Sequence, residues 1–142
     1  MTNMRYLLAL FALAGIVVST LALHVHYSND VQPCSINEKW DCGVVNHSPY
    51  AEILHIPVAA LGIAGYLALA GLALARRRRL FLLFTLVGLG FALYLSHIEK
   101  DVLEVWCLYC VISQGIIALM TLLGVGWLAT EEVARRRAQK SA

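Results

Sequence analysis

Three observations predict an all-α membrane protein, a four-transmembrane-helix bundle with an extracytoplasmic loop over the candidate active site. The chain carries four long apolar runs, its basic residues fall almost entirely on one side of them, and its four cysteines fall entirely on the other. Of the 142 residues, 60% are hydrophobic and 14% charged, and the mean hydropathy is +0.71. A water-soluble core does not need that much apolar residue. A bilayer crossing takes about 20 consecutive apolar residues, and the length allows one domain, residues 1–142, built around such crossings.

The runs predict spans at approximately 6–26, 56–75, 80–97 and 105–130, with an outer loop over 27–55. Lipid offers no partner to a backbone N–H or C=O, so each span must satisfy its own backbone and is read as a helix. Pro57 suits the first turn of the second span, where its missing N–H is no loss. Gly15, Ser19, Gly62, Gly65 and Gly88 are small enough to let helices approach closely. A signal-peptide reading of the first run is disfavoured. Its apolar stretch is longer than the roughly 7–15 residues of an h-region, and no small-x-small cleavage site follows.

Nine of the eleven basic residues lie on one side of the spans: Arg5, Arg76, Arg77, Arg78, Arg79, Arg135, Arg136, Arg137 and Lys140. Lys39 and Lys100 lie on the other, together with Asp30, Glu38, Asp41, Glu52, Glu99, Asp101 and Glu104. Cytoplasmic loops carry the Lys/Arg excess, which predicts that both termini and the tetra-arginine turn are cytoplasmic. Between two spans the arginine run is a topological signal, and no nucleic-acid partner is expected. The segment from Glu131 is expected to be a fraying amphipathic tail. His24, His26, His47, His55 and His97 fall on or near the outer side and are expected as polar residues at span ends, with Glu52 and His55 capping the second span. Trp40, Trp106 and Trp127 fit interfacial anchoring.

The cysteines carry the chemistry. Cys34 and Cys42 lie in the outer loop with seven residues between them, and Cys107 and Cys110 form a C-x-x-C at the outer end of the fourth span. All four face one compartment, predicted to be the non-cytoplasmic one, where disulfides persist. Residues three apart share a helix face, and near a helix start the dipole favours thiolate, the reactive form. The Asp101-x-x-Glu104 spacing resembles a capping pattern, however. A helix beginning there would weaken the dipole at Cys107 and set Glu104 against thiolate formation. With Trp106 before it and apolar residues after it, the C-x-x-C sits at the rim of the hydrocarbon layer, where a lipid-soluble electron carrier can reach it. The loop pair is in reach of a soluble protein, and thiol–disulfide exchange could link the two pairs as a relay. On the residues alone, two static disulfides and a four-thiolate metal site also stand. Only one pair has ligand-type spacing, and Val111 after Cys110 departs from a haem-attachment motif.

The combination is more specific than its parts. A four-span chain with C-x7-C in the first outer loop, the text Cys42-Gly43-Val44-Val45-Asn46-His47-Ser48, Gly62 in the second span and Cys107-Leu108-Tyr109-Cys110 heading the fourth resembles vitamin K epoxide reductase and its bacterial homologues. The resemblance covers nearly the whole chain. It implies that Cys107 and Cys110 are the active-site pair with Cys110 facing a quinone, that Cys42 attacks Cys107, and that Cys34 meets the partner. It places Ser48 near the quinone. Val58 stands where the animal enzymes carry Asn, and Gln114 where they carry Tyr. These departures favour plain quinone reduction over epoxide reduction, and the Gln114 amide could still reach a quinone carbonyl. The implied cofactor is a quinone of the menaquinone, ubiquinone or vitamin K kind. The implied setting is a bacterial inner membrane. The chain ends before any fused thioredoxin-like domain, so the implied partner is a separate thioredoxin-fold protein of the DsbA type. A DsbB-type quinone reductase would carry its C-x-x-C in the first outer loop, and a non-enzymatic scaffold would keep its disulfides static.

Overall fold

The structure, a computed structural model, describes residues 2–27 and 37–141. It is built on four apolar helices, α1 (Thr2–Tyr27), α3 (Val58–Leu74), α4 (Arg78–Ile98) and α5 (Leu108–Ser141). Three of them are long and apolar enough to cross a membrane. The other, α3, has 17 residues, which at about 1.5 Å per residue spans roughly 25 Å. Helix α1 packs on α3 and α5, α4 packs on α5, and α3 packs on α4, so the four close into a ring.

The inside and outside of that ring follow from side-chain size. Leu8, Phe81, Met120 and Trp127 are buried at its centre. Leu10, Val87 and Leu122 are 63, 66 and 69% exposed. An apolar exterior of this kind is stable only against lipid or another protein. Small residues set the α1–α3 spacing. A Cβ at Gly15 would run into the Tyr66 ring, and one at Gly62 would lie 2.9 Å from Ser19 Oγ. Gly88 lies against Ile117, whereas Gly65, expected as a packing residue, faces open space.

Several boundaries differ from expectation, each for a physical reason. Helix α5 does not fray after Thr130 but continues to Ser141. Arg78 pairs with Glu131 at 3.4 Å and Arg79 with Glu132 at 3.1 Å, which ties the extension to the start of α4. Trp127 is not an interfacial anchor. It is 2% exposed, edge-on to Phe81 and beneath the Arg78 guanidinium, and its carbonyl accepts from Arg78 Nη1 at 3.1 Å. The second helix starts at Val58, preceded by a short antiparallel hairpin of β1 (Glu52–Ile53) and β2 (Ile56–Pro57). Leu54 and His55 form its turn at φ 53° and 67°, the left-handed pair that a two-residue hairpin needs. Glu52 and His55 therefore do not cap α3, whose N-terminus has no side-chain cap.

The arginine contacts lie at the α4-start end of the α4–α5 hairpin, and the Ser96–Gln114 hydrogen bond lies at the other, beside the C-x-x-C. The cysteine motif and the arginine cluster thus occupy opposite ends of the ring. Replacing Gly15 by Val is expected to lower the stability of the detergent-solubilised protein by about 1–3 kcal/mol through overpacking against Tyr66. Gly65→Ala, where nothing stands in the way, should leave the melting midpoint unchanged.

Candidate functional site

The sulfur end is assembled by a backbone bridge. Trp106 N–H donates to the Lys39 carbonyl at 2.7 Å and the Trp106 carbonyl accepts from Asp41 N–H at 2.9 Å. The two strands of this single bridge, Trp40 and Trp106, run parallel, and their indole rings lie 6.3 Å apart. The Asn37 side-chain oxygen accepts from the N–H groups of Lys39 and Trp40, which turns the loop into register.

Because the strands are parallel, both continue from the bridge in the same direction and both enter helices. One becomes α2 (Cys42–Asn46), capped by Asp41, whose Oδ1 accepts from Gly43 N–H at 2.9 Å and Val44 N–H at 3.3 Å. The other becomes α5 after Cys107. Cys42 and Cys107 are therefore each the residue that follows a bridge strand's last hydrogen bond. Cys34 lies outside the described residues.

Cys107 is fully buried and caps α5 with its own sulfur. Its Sγ accepts from Cys110 N–H at 3.3 Å, and its carbonyl accepts from Val111 N–H at 3.0 Å. The helix thus starts at Leu108 and not at Asp101. Asp101 is taken by His97, at 2.7 Å, and Glu104 adopts φ 56°, the left-handed conformation that ends a helix. From across the site, Asn46 Nδ2 donates to Cys107 Sγ at 3.6 Å. The Asn46 carbonyl accepts from His26 Nδ1 at 2.6 Å, and His26 Nε2 meets Glu52 Oε1 at 3.1 Å. The histidines are thus not alike: His26 is built into the site's support, whereas His24 is exposed.

The acid at the site is Glu99, not Glu104. It opens a π-helical turn, Glu99–Leu103, is 3% exposed, and accepts Cys107 N–H on Oε2 at 3.1 Å. The Cys110 thiol, hydrogen-bonded to the Cys107 sulfur, holds the Cys107 thiol below the ordinary cysteine range. The Cys110 N–H and the Asn46 amide act in the same sense, against burial and the Glu99 charge.

Beside the sulfurs lies a cavity of about 230 Å³. Cys110 is on its wall, as are Asn46, Ser48, Val58, Ser96 and Glu99. The rest of the lining is mainly apolar, the composition expected of a small-molecule site. Leu61 on α3 and Phe84 on α4 line it while being 39 and 47% exposed, so it opens between these helices on the apolar exterior. A dry cavity of about 150 Å³ holds a benzene ring, so this one has room for a substituted ring. Of the expected lining residues, Ser48 and Val58 are present, the Ser48 hydroxyl donating to the Val45 carbonyl at 2.7 Å. Gln114 is not on the wall. Its amide oxygen accepts from the Ser96 hydroxyl, and the neighbouring Ser113, bonded to Tyr66 at 2.8 Å, lines the cavity instead.

A fully buried Cys107 and a half-buried Cys110 at the head of a helix, next to a mainly apolar cavity that opens on the apolar exterior, form an arrangement suited to thiol redox chemistry in a membrane protein. The family model for the vitamin K epoxide reductase family matches residues 6–125, and the chain belongs to that family. It is accordingly a membrane oxidoreductase of the quinone-linked kind.

Sequence reasoning did not find Glu99, Asn46 or His26 as functional residues. The one available signal was Glu99 itself, an acid at the end of an apolar run. Thiolate is the form that reacts, and the lowered Cys107 value favours it. Its alkylation by iodoacetamide is expected to rise with pH through a midpoint below that of an unperturbed cysteine. Asn46→Ala should slow alkylation at pH 7 by about two- to tenfold, equivalent to one lost hydrogen bond of ~0.5–1.5 kcal/mol.

Proposed function

We propose that the chain is a thiol:quinone oxidoreductase that makes disulfides for exported proteins. A reduced thioredoxin-fold partner of the DsbA type exchanges its dithiol with the Cys34–Cys42 disulfide and leaves oxidised. Cys42, now a thiolate, attacks the Cys107–Cys110 disulfide at Cys107. Resolution by Cys34 restores the loop disulfide and leaves Cys107 and Cys110 as dithiol. A quinone seated in the cavity against Cys110 takes two electrons and two protons and departs as quinol, and Cys107 and Cys110 close their disulfide again. In this reading all four apolar helices cross the inner membrane of a bacterium, residues 1–142 act as one domain, both termini are cytoplasmic and the cysteines face outward.

The observation that carries the reading is the parallel bridge. It joins the backbone just before Cys42 to the backbone just before Cys107, while the turn from Cys107 to Cys110 leads from the bridge to the cavity wall. Ser48 and Val58 would lie against the quinone, with Gln114 acting through its hold on Ser96. Val58 carries no amide for a quinone oxygen, which favours quinone over epoxide reduction.

The test mixes the purified protein in detergent with a reduced DsbA-type partner and short-chain quinones and follows quinol formation. Cys110→Ala is expected to reduce the rate to the uncatalysed background, and full activity in that variant would remove the pathway. Gly65 borders the cavity with open space at its Cβ. Gly65→Leu should therefore raise KM for quinone by about tenfold, a loss of ~1.4 kcal/mol of binding, with little change in the rate of partner exchange measured without quinone.

A further inference from the structure

The quinone reaction needs protons as well as electrons, and the carboxyl of Glu99 is buried beside the reacting cysteines. Burying a carboxylate away from water is costly unless a cation or several donors meet it. Among the described residues none of the ion pairs involves Glu99. Its side chain instead lies among the reacting groups: Oε2 accepts Cys107 N–H at 3.1 Å, the Cys107 sulfur in turn accepts Cys110 N–H at 3.3 Å, and Glu99 and Cys110 line the same cavity. A proton leaving the Cys110 thiol therefore has two bases at the site, the Cys107 sulfur and the Glu99 carboxylate.

We infer that Glu99 is a catalytic residue that takes the Cys110 proton and passes it to the quinone. This rests on the quinone-reductase reading above. The balance is as follows. Reduced Cys107 is a thiolate and Cys110 a thiol. The two sulfurs together lose two electrons and join in an S–S bond, which breaks the Cys110 S–H bond. That proton moves to the Glu99 carboxylate and then to one quinone oxygen, which restores the carboxylate. The second proton of the quinol comes from water, matching the one released when Cys107 became a thiolate. The division of roles follows from the contacts. If the proton went to the Cys107 sulfur, the nucleophile would be quenched, whereas a carboxylate on the cavity wall removes it in the direction in which it is consumed.

The test uses the full chain in detergent, reduced and freed of reductant, with a short-chain quinone in a single turnover. Quinol is read by absorbance and the disulfide by mass-tag trapping. Glu99→Gln keeps an oxygen for the Cys107 N–H but cannot carry the proton. Its rate is expected to fall by at least about 100-fold, the lower end for loss of a general acid–base, and Glu99→Asp should recover most of that loss. Iodoacetamide provides the readout that does not depend on quinone. The Glu99 charge opposes the Cys107 thiolate, so Glu99→Gln should alkylate at Cys107 as fast as the parent protein or faster. A Glu99→Gln rate within about threefold of the parent overturns the inference. So does a loss that Glu99→Asp does not relieve, or one accompanied by slower Cys107 alkylation, since either assigns Glu99 a structural role. A parent protein that forms no quinol overturns the quinone-reductase reading itself, and this inference with it.

Discussion

Two main-chain hydrogen bonds hold the sulfur end of this protein together, those from Trp106 to Lys39 and from Asp41 to Trp106. Together with the Asn46 hydrogen bond to the Cys107 sulfur, they fix the segment before α3 relative to the start of α5. A parallel bridge of one residue is a weak element by itself. Here it is backed by the paired indoles of Trp40 and Trp106, by the Asn37 turn before it and by the Asp41 cap after it. The Asn37 and Asp41 side chains each accept backbone N–H groups that would otherwise need water at the edge of an apolar layer. The consequence for chemistry is a register. With Trp40 opposite Trp106, Cys107 follows the bridge by one residue and Cys42 by two.

The second constraint is the start of α5. A helix N-terminus leaves N–H groups without partners, and Ser, Thr, Asp or Asn usually supplies the acceptor. Here the acceptor is the sulfur of Cys107. Burial opposes thiolate formation, and the hydrogen bonds from Cys110 and Asn46 overcome it. The Glu52–His26–Asn46 series behind that amide explains why the end of α1 matters to a sulfur on α5. A reactive thiol is in this way kept away from bulk water, which limits its side reactions.

Much of this was legible in the sequence, and the reasons for the rest are physical. Long apolar runs mark helices that cannot face water, so the helices were readable, and so was a C-x-x-C at the head of the last one. The extension of α5 was not, because Glu131 and Glu132 look like the solvated residues of a tail until Arg78 and Arg79 are brought opposite them. The hairpin before α3 was hidden because Leu54 and His55 occupy left-handed positions without the Gly or Asn that normally marks them. Asp101 and Glu104 had the spacing of a cap, but a π-helical turn and a left-handed residue use them otherwise. Gln114 shares a helical face with Cys110, yet periodicity does not reveal that Ser96 would engage its amide and leave Ser113 on the wall.

That same π turn is what separates two surroundings for sulfur. Glu99 continues the cavity-facing stripe of Ala92, Leu95 and Ser96 on α4, as residues three and four apart on a helix do. The wider turn that it opens, closed by Val105 N–H on the Glu99 carbonyl at 3.1 Å, carries the chain back toward Trp106. π-turns inside helices recur at functional positions because they cost hydrogen-bond geometry that packing alone does not return. Here the return is positional: the turn ends α4 and aims the next residues at the bridge. Cys110 and the carboxyl line a cavity that opens between α3 and α4, while the bridge and the Asp41 cap lie on the loop side of Cys107. Under the proposed function these two sides would serve a hydrophobic oxidant and a polar reductant, which need never share a binding surface.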